Sequence, residues 1–145
     1  MLLGQIEGKV SKKFQTAIPK QFRQHLGQKI IITKGIDVCL MIVSIGQMQT
    51  LLEGTEGKPF IDKSTRELQR YLFGNAFAVS LDDQGRFVLP QFLRNYAKIR
   101  REVVFVGIQR YVELWDKKLW NEHQKSIEKT VDLLTTDLST SSGHE

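Results

Sequence analysis

Cysteine occurs once, at Cys39, so no internal disulfide can form and zinc sites built from paired cysteines are excluded. No apolar run comes near the 18 or more residues that a membrane helix needs. The opening Met1-Leu2-Leu3-Gly4-Gln5 lacks the basic and then apolar stretches of a secretory signal. A cytoplasmic protein with no membrane partner is expected. Also missing are a Gly-Lys-Ser phosphate loop and a Gly-x-Ser-x-Gly elbow. His25, His123 and His144 show no metal-ligand spacing with Cys39, which reads as a core residue. Asp82 and Asp83 could suggest an acid–base pair, but two acids before Gln84-Gly85 are ordinary turn chemistry. The expectation is no enzyme, no cofactor, no metal and no small-molecule substrate.

The scarcity that says most is of acid. Residues 8–36 hold seven bases (Lys9, Lys12, Lys13, Lys20, Arg23, Lys29, Lys34) and no Asp or Glu. Residues 84–101 hold five (Arg86, Arg94, Lys98, Arg100, Arg101), again without an acid. From residue 113 onward the balance reverses, seven acids against four bases. The net charge is only +5, yet segregation of this kind makes one face electropositive, the electrostatic footprint of a nucleic-acid binder.

Proline is scarce too, and two of the three prolines mark a repeat. Ile18-Pro19-Lys20-Gln21-Phe22-Arg23 returns as Leu89-Pro90-Gln91-Phe92-Leu93-Arg94. Further on, Gly35 answers Gly107 and the run from Cys39 answers the run from Tyr111. A spacing of about seventy exceeds the roughly 20–50 residues of solenoid and propeller units. It reads as one duplicated supersecondary unit packed on its own copy, which presents each loop twice. The 145 residues suffice for one domain that buries roughly two-thirds of its unfolded surface.

Each unit reads strand, loop, short strand, helical turn, hairpin, helix. In the first, strands are predicted over 2–9 and 15–18 around a basic loop at 10–14. Pro19 opens a helical turn that Gly27 closes. A hairpin follows over 30–33 and 38–43, then a helix over 45–52 capped by Ser44 with Gln47. The second unit repeats the plan with strands at 77–81 and 86–89, a turn at 82–85, and a helical turn from Pro90. Its hairpin spans 103–107 and 111–114, and Asp116 caps a helix over 117–129. Between the units lie a polar loop at 53–59 and a helix over 65–73, boxed by Ser64 and Glu67 and stopped by Gly74. The organisation expected is a first unit over 2–53, a linker and connecting helix over 54–74, a second unit over 75–130, and a flexible tail over 131–145. Strands this short need a partner unit, and a small closed barrel removes unpaired edges.

The run Asp82-Asp83-Gln84-Gly85-Arg86-Phe87-Val88-Leu89-Pro90-Gln91-Phe92-Leu93-Arg94 resembles the signature of the MraZ family. That signature is an Asp-x-x-Gly-Arg turn, an apolar-Pro step, and a helix ending in Leu-Arg. Leu2-Leu3-Gly4, Gly74-Asn75-Ala76 after the helix over 66–73, Gly107-Ile108-Gln109 and Glu113-Leu114-Trp115-Asp116 agree in order, so the likeness covers about residues 2–130. The resemblance implies a mainly β, α+β fold, the duplicated swapped-hairpin AbrB-like barrel. It also implies a DNA-binding transcriptional regulator of the bacterial division and cell-wall gene cluster. Such a protein would be nucleoid-associated, bind promoter repeats in double-stranded DNA, and assemble into rings of identical subunits.

One departure stands out. Where the family's first unit usually repeats Asp-x-x-Gly-Arg, this chain has Ser11-Lys12-Lys13-Phe14-Gln15. Phenylalanine enters the left-handed region at a cost that glycine avoids, so the first loop is expected to follow a different path, with Phe14 packed back on the body.

Arg86 is the foremost candidate for a base contact, since a guanidinium beside a short strand can fork onto guanine. Its bland reading is an ion pair with Asp82 that stiffens a turn closed by Gly85; both can hold. Gln15 can read adenine, while Lys9, Lys12, Lys13, Arg100 and Arg101 suit phosphates. Arg23 and Arg94 are expected to bond the last carbonyls of their own helices. Two rivals remain: an antitoxin-like or assembly scaffold with weak or lost DNA binding, and an RNA-binding barrel, for which only Phe14 supplies an exposed aromatic among bases.

Overall fold

The hairpins predicted around Gly35 and Gly107 supply the middle of an antiparallel sheet. The computed structural model describes residues 1–53 and 62–143. Thirteen elements follow in chain order: β1 (Leu2–Lys9), β2 (Gln15–Ala17), α1 (Lys20–Leu26), β3 (Lys29–Lys34), β4 (Leu40–Ser44), α2 (Ile45–Glu53), α3 (Lys63–Phe73), β5 (Phe77–Ser80), β6 (Arg86–Val88), α4 (Gln91–Tyr96), β7 (Glu102–Gln109), β8 (Tyr111–Asp116) and α5 (Lys117–Gly143). Six strands run in the order β1-β7-β8-β4-β3-β5, and β2 pairs with β6 as a separate two-stranded ribbon. The order reads alike from either edge, with an edge strand, a hairpin and then its partner hairpin. At the centre Met41 faces Glu113.

The expected closed barrel is not found among the described residues. β1 and β5 are free edges of the sheet, and β2 and β6, three residues each, pair only with one another. Strands of that length have too few ladder groups to join both sheet edges. The turns leading into them also spend their own amide and carbonyl groups locally.

Strand alternation divides the apolar residues between a main core on one face of the sheet and two smaller clusters on the other. On one face Ile30, Ile32, Leu40, Ile42, Val103, Phe105, Val112 and Leu114 meet Phe22 and Leu26 of α1, Leu93 of α4, Ala97 just after that helix, and Phe87 of the ribbon. On the other face Val104, Val106 and Trp115 pack under Trp120 and Leu119 of α5. Met41 and Val43 pack with Met48 of α2 and Leu72 and Phe73 of α3. Because both faces are covered, β4 reads as a continuous apolar run.

The helix signals hold with two differences. Ser44 accepts from Gln47 N at 3.0 Å, and Asp116 accepts from Leu119 N at 3.4 Å. In α3, however, Asp62 is the cap: it accepts from Ser64 N at 3.3 Å and from the Thr65 hydroxyl at 2.7 Å, so the helix starts at Lys63. Glu67 pairs forward with Arg70 at 2.7 Å. The helix predicted over 117–129 continues to Gly143, taking in most of the stretch expected as a flexible tail, since no glycine or proline interrupts it earlier. The polar loop predicted at 53–59 lies, after Glu53, outside the described residues.

Candidate nucleic-acid interface

The ribbon joins the two loops that the sequence marks as tips. Gln15 faces Val88, Thr16 faces Phe87, and Ala17 faces Arg86. Thr16 and Phe87 point into the body, each 4% exposed, so Gln15, Ala17, Arg86 and Val88 share the outer face. Beyond each end of the ribbon the backbone reaches across to the other loop. Ile18 N donates to Gly85 O, and Leu89 N donates to Phe14 O, both at 2.9 Å.

In the second tip Asp82 organises the turn. Its Oδ1 accepts from Gln84 N at 2.9 Å and from Arg86 N at 2.8 Å, and its Oδ2 takes the Arg86 Nε–H at 2.6 Å. Backbone and side-chain donation from Arg86 hold this carboxyl below the usual carboxylate range. Arg86 therefore reaches the outer face with its Nε–H committed to Asp82, a guanidinium oriented in advance.

The first tip follows the same path, against the expectation drawn from Phe14. Ser11 stands in for Asp82: its Oγ accepts from Lys13 N at 3.2 Å and from Gln15 N at 3.1 Å. Phe14 takes φ 63°, close to the φ 78° of Gly85. Left-handed backbone costs a non-glycine residue roughly 1–2 kcal/mol, and two contacts offset it. One is the Ser11 hydroxyl. The other is the guanidinium of Arg94, 3.4 Å above the centre of the Phe14 ring. Phe14 stays 41% exposed, so it is braced by the body without being buried in it.

Arg94 thus does not cap its own helix, and neither does Arg23. Arg23 crosses to the second tip, where it lies against Gly85 and donates from Nη1 to Asp83 O at 3.3 Å. A Cβ on Gly85 would fall 2.4 Å from Arg23 Cδ. Each arginine stands in the last turn of a short helix of one segment and braces the tip of the other. The carbonyls at the helix ends have other partners: Arg23 O accepts from Gly27 N, and Arg94 O from Ile99 N.

The other cationic candidates separate into two settings. Lys12 and Lys13 are exposed on the first tip. Arg101 stands next to that tip, its carbonyl taking the Val10 N–H at 2.7 Å. Lys9 lies opposite Glu102 and shares a shallow hollow with Glu7, Glu102 and Lys117, a mixed-charge group. Lys117 reaches Glu7 at 3.4 Å and Glu102 at 4.0 Å. Arg100 is exposed and donates its backbone N–H to Asp116 Oδ1 at 3.1 Å, beside the start of α5.

A family model described as "MraZ protein, putative antitoxin-like" matches residues 72–137. A protein named transcriptional regulator MraZ from Caldanaerobacter subterraneus subsp. tengcongensis is 35% identical over 138 residues, 95% of this chain and 96% of the relative. The chain belongs to the MraZ family. Relatives of the same name in Acetivibrio thermocellus and Thermoanaerobacter sp. are 38% and 33% identical, over 123 and 138 residues. The first covers 85% of this chain and 86% of the relative, the second 95% and 96%.

In this MraZ-family chain the Asp-x-x-Gly-Arg turn thus survives as geometry in both tips, though as sequence in only one. Reasoning from sequence missed Ala17 and Val88, which complete the outer face, and the crossed bracing by Arg23 and Arg94. The signal for the face was available, since Thr16 and Phe87 are the middle residues of two short strands whose neighbours must point the other way. Among the described residues no three His, Cys, Asp or Glu side chains converge as a metal site, and no helix is long and apolar enough to cross a membrane. Cys39 is fully buried, and burial together with the Glu113 carboxylate pushes its thiol pKa up.

Proposed function

We propose that this chain is a sequence-specific DNA-binding transcriptional regulator of the MraZ type. It docks the outer face of the β2–β6 ribbon on repeated promoter elements, with Lys12, Lys13 and Arg101 holding phosphates and Arg86 and Gln15 meeting base edges. The observation that carries this reading is Arg86, held by Asp82 at 2.6 Å on an exposed ribbon face that it shares with Gln15. A two-stranded ribbon is one of the elements that fit the major groove. The names of the relatives support a regulatory role. The family resemblance extends the proposal to the division and cell-wall gene cluster, and to a cytoplasmic, nucleoid-associated protein.

The fold reading that goes with it is a duplicated swapped-hairpin arrangement, units 2–53 and 75–130, supported by the paired tips and the symmetric strand order. A ring of identical subunits is proposed as well. Beyond its contact with the body, α5 is exposed over 125–137 and carries Ile127, Val131 and Leu134 at helical spacing, a stripe suited to a subunit contact. Weak single-subunit binding then sums over neighbouring repeats.

The test is retention of duplex DNA from upstream of the chain's own coding sequence, against random duplex, across a salt series. Arg86→Ala is expected to weaken the upstream duplex more than the random one, by about 1–3 kcal/mol of lost discrimination. The second reading, an antitoxin-like or assembly scaffold, is favoured by the first tip, where Ser11, Phe14 and Gln15 replace the acid, the glycine and the arginine of the signature. Protein that stays oligomeric and retains no duplex at low salt would favour it.

A further inference from the structure

We infer that Val88 reads the 5-methyl group of thymine, and that it does so as the registered partner of Gln15 on the ribbon. This rests on the DNA-binding reading above and adds a specificity-determining residue to it.

The ribbon is only three residues wide on each strand, so its outer face is small enough to account for in full. Thr16 and Phe87 are turned inward, which leaves Gln15 and Ala17 from β2 with Arg86 and Val88 from β6. Three of these four have a ready explanation. Arg86 is the pre-oriented guanidinium, Gln15 is an amide with both a donor and an acceptor, and Ala17, opposite Arg86, is small enough to leave the guanidinium its path. Val88 has none. It is 57% exposed, whereas Leu89 beside it is 1% exposed and fully used in the core. Beside the small Ala17, Val88 is the one large apolar side chain on this face, and its branch suits a strand without giving it a partner there.

The major groove offers one apolar feature, the methyl group of thymine, and apolar side chains recognise it by contact. Directly opposed residues on an antiparallel pair hold their Cβ atoms about 4.5–5.5 Å apart, comparable with neighbouring base edges. Gln15 and Val88 form such a pair. Glutamine suits the amino group and ring nitrogen of adenine, and valine suits the methyl of thymine. The two together select a site rich in A·T at one end of the ribbon, while Arg86, opposite Ala17, selects guanine at the other. The element read by one chain is therefore directional: its guanine end and its A·T end differ.

The experiment prepares the upstream duplex twice, by amplification with thymidine or with deoxyuridine triphosphate, which differ in that methyl group alone. Wild-type protein is expected to retain the thymidine duplex about three- to fivefold better, the scale of one or so buried methyl groups. Val88→Ala should lose that preference while binding the deoxyuridine duplex as the wild type does, and Val88→Ile should keep it. Because Val88 is exposed, unchanged thermal melting of both variants confirms that they fold. Equal retention of the two duplexes by wild type overturns the inference and leaves DNA binding standing. So does a preference that survives Val88→Ala, or a Val88→Ala loss equal for both duplexes. Wild type that retains neither duplex at low salt removes the DNA-binding reading, and the inference with it.

Discussion

Arg94 stacks on Phe14 with its guanidinium 3.4 Å above the ring centre, bracing a tip eighty residues earlier in the chain. Arg23 occupies the corresponding position against Gly85. One arginine meets a ring, the other a glycine, and the two backbone paths are nevertheless the same.

That difference makes the Phe14–Arg94 contact measurable. Arg94→Ala is expected to lower stability, and the loss should shrink by about 0.5–1 kcal/mol when Phe14 is already glycine. Glycine needs no support in the left-handed region, so the second change removes what the first one depends on. Urea unfolding of the two single variants and the double variant gives the coupling; additive losses would contradict it.

Gly85→Ala should be costly. The new Cβ meets Arg23 Cδ at 2.4 Å and Ile18 O at 3.0 Å, on a backbone at φ 78°. Strain of roughly 1–2 kcal/mol is expected from the backbone alone, before Arg23 is displaced. Gly46→Ala in α2, which meets nothing within 4 Å, should instead be neutral or stabilising by up to about 1 kcal/mol. The denaturation midpoint should fall for Gly85→Ala and hold or rise for Gly46→Ala.

Lys12→Ala with Lys13→Ala should weaken upstream and random duplex alike, because phosphate contacts carry no sequence information. The slope of log affinity against log salt should fall by about 1–2 units. A loss confined to the upstream duplex would assign these lysines to base edges instead.

The Asp82 carboxyl is depressed mainly by backbone donation from Arg86 and then by the Arg86 side chain. A lowered folded pKa means that its contribution is complete above the unfolded value, about pH 4, and is lost as pH falls through the lower folded value. The tip should therefore be insensitive to pH from 5 to 8. The stability difference between wild type and Asp82→Asn should be constant there and narrow only below about pH 4. A difference that already changes between pH 5 and 7 would point to another titrating group.

Cys39 should resist alkylation in the folded protein and react on unfolding. Its thiol is fully buried, donates to Glu113 Oε2 at 3.7 Å, and is kept protonated by burial and that carboxylate. Labelling rates with a maleimide across a urea series should track the unfolding curve. Rapid labelling in buffer would mean that the β4–β8 region opens locally.

Much was legible from local order. Pro19 and Pro90 announced two helical turns, the strand predicted over 2–9 is β1 to the residue, and the run predicted over 38–43 takes in most of β4. Charge segregation pointed at the tips, although it could not separate Lys12 on an open tip from Lys9 beside Glu102. Phe14 was misread because its conformational cost is local while the Arg94 contact that offsets it is not. Arg23 and Arg94 were assigned to the nearest carbonyls, since nothing along the chain says that each helix end faces the opposite loop.

Sequence by itself determined the strands, the turn chemistry and the kinship, because alternation, proline and hydrogen-bonding side chains act within a few residues of where they stand. Tertiary structure decided which side chains share a surface. Gln15 meets Val88 and Ala17 meets Arg86 only once segments about seventy residues apart have paired in one register, and a shift of a single residue would have turned the whole reading face inward.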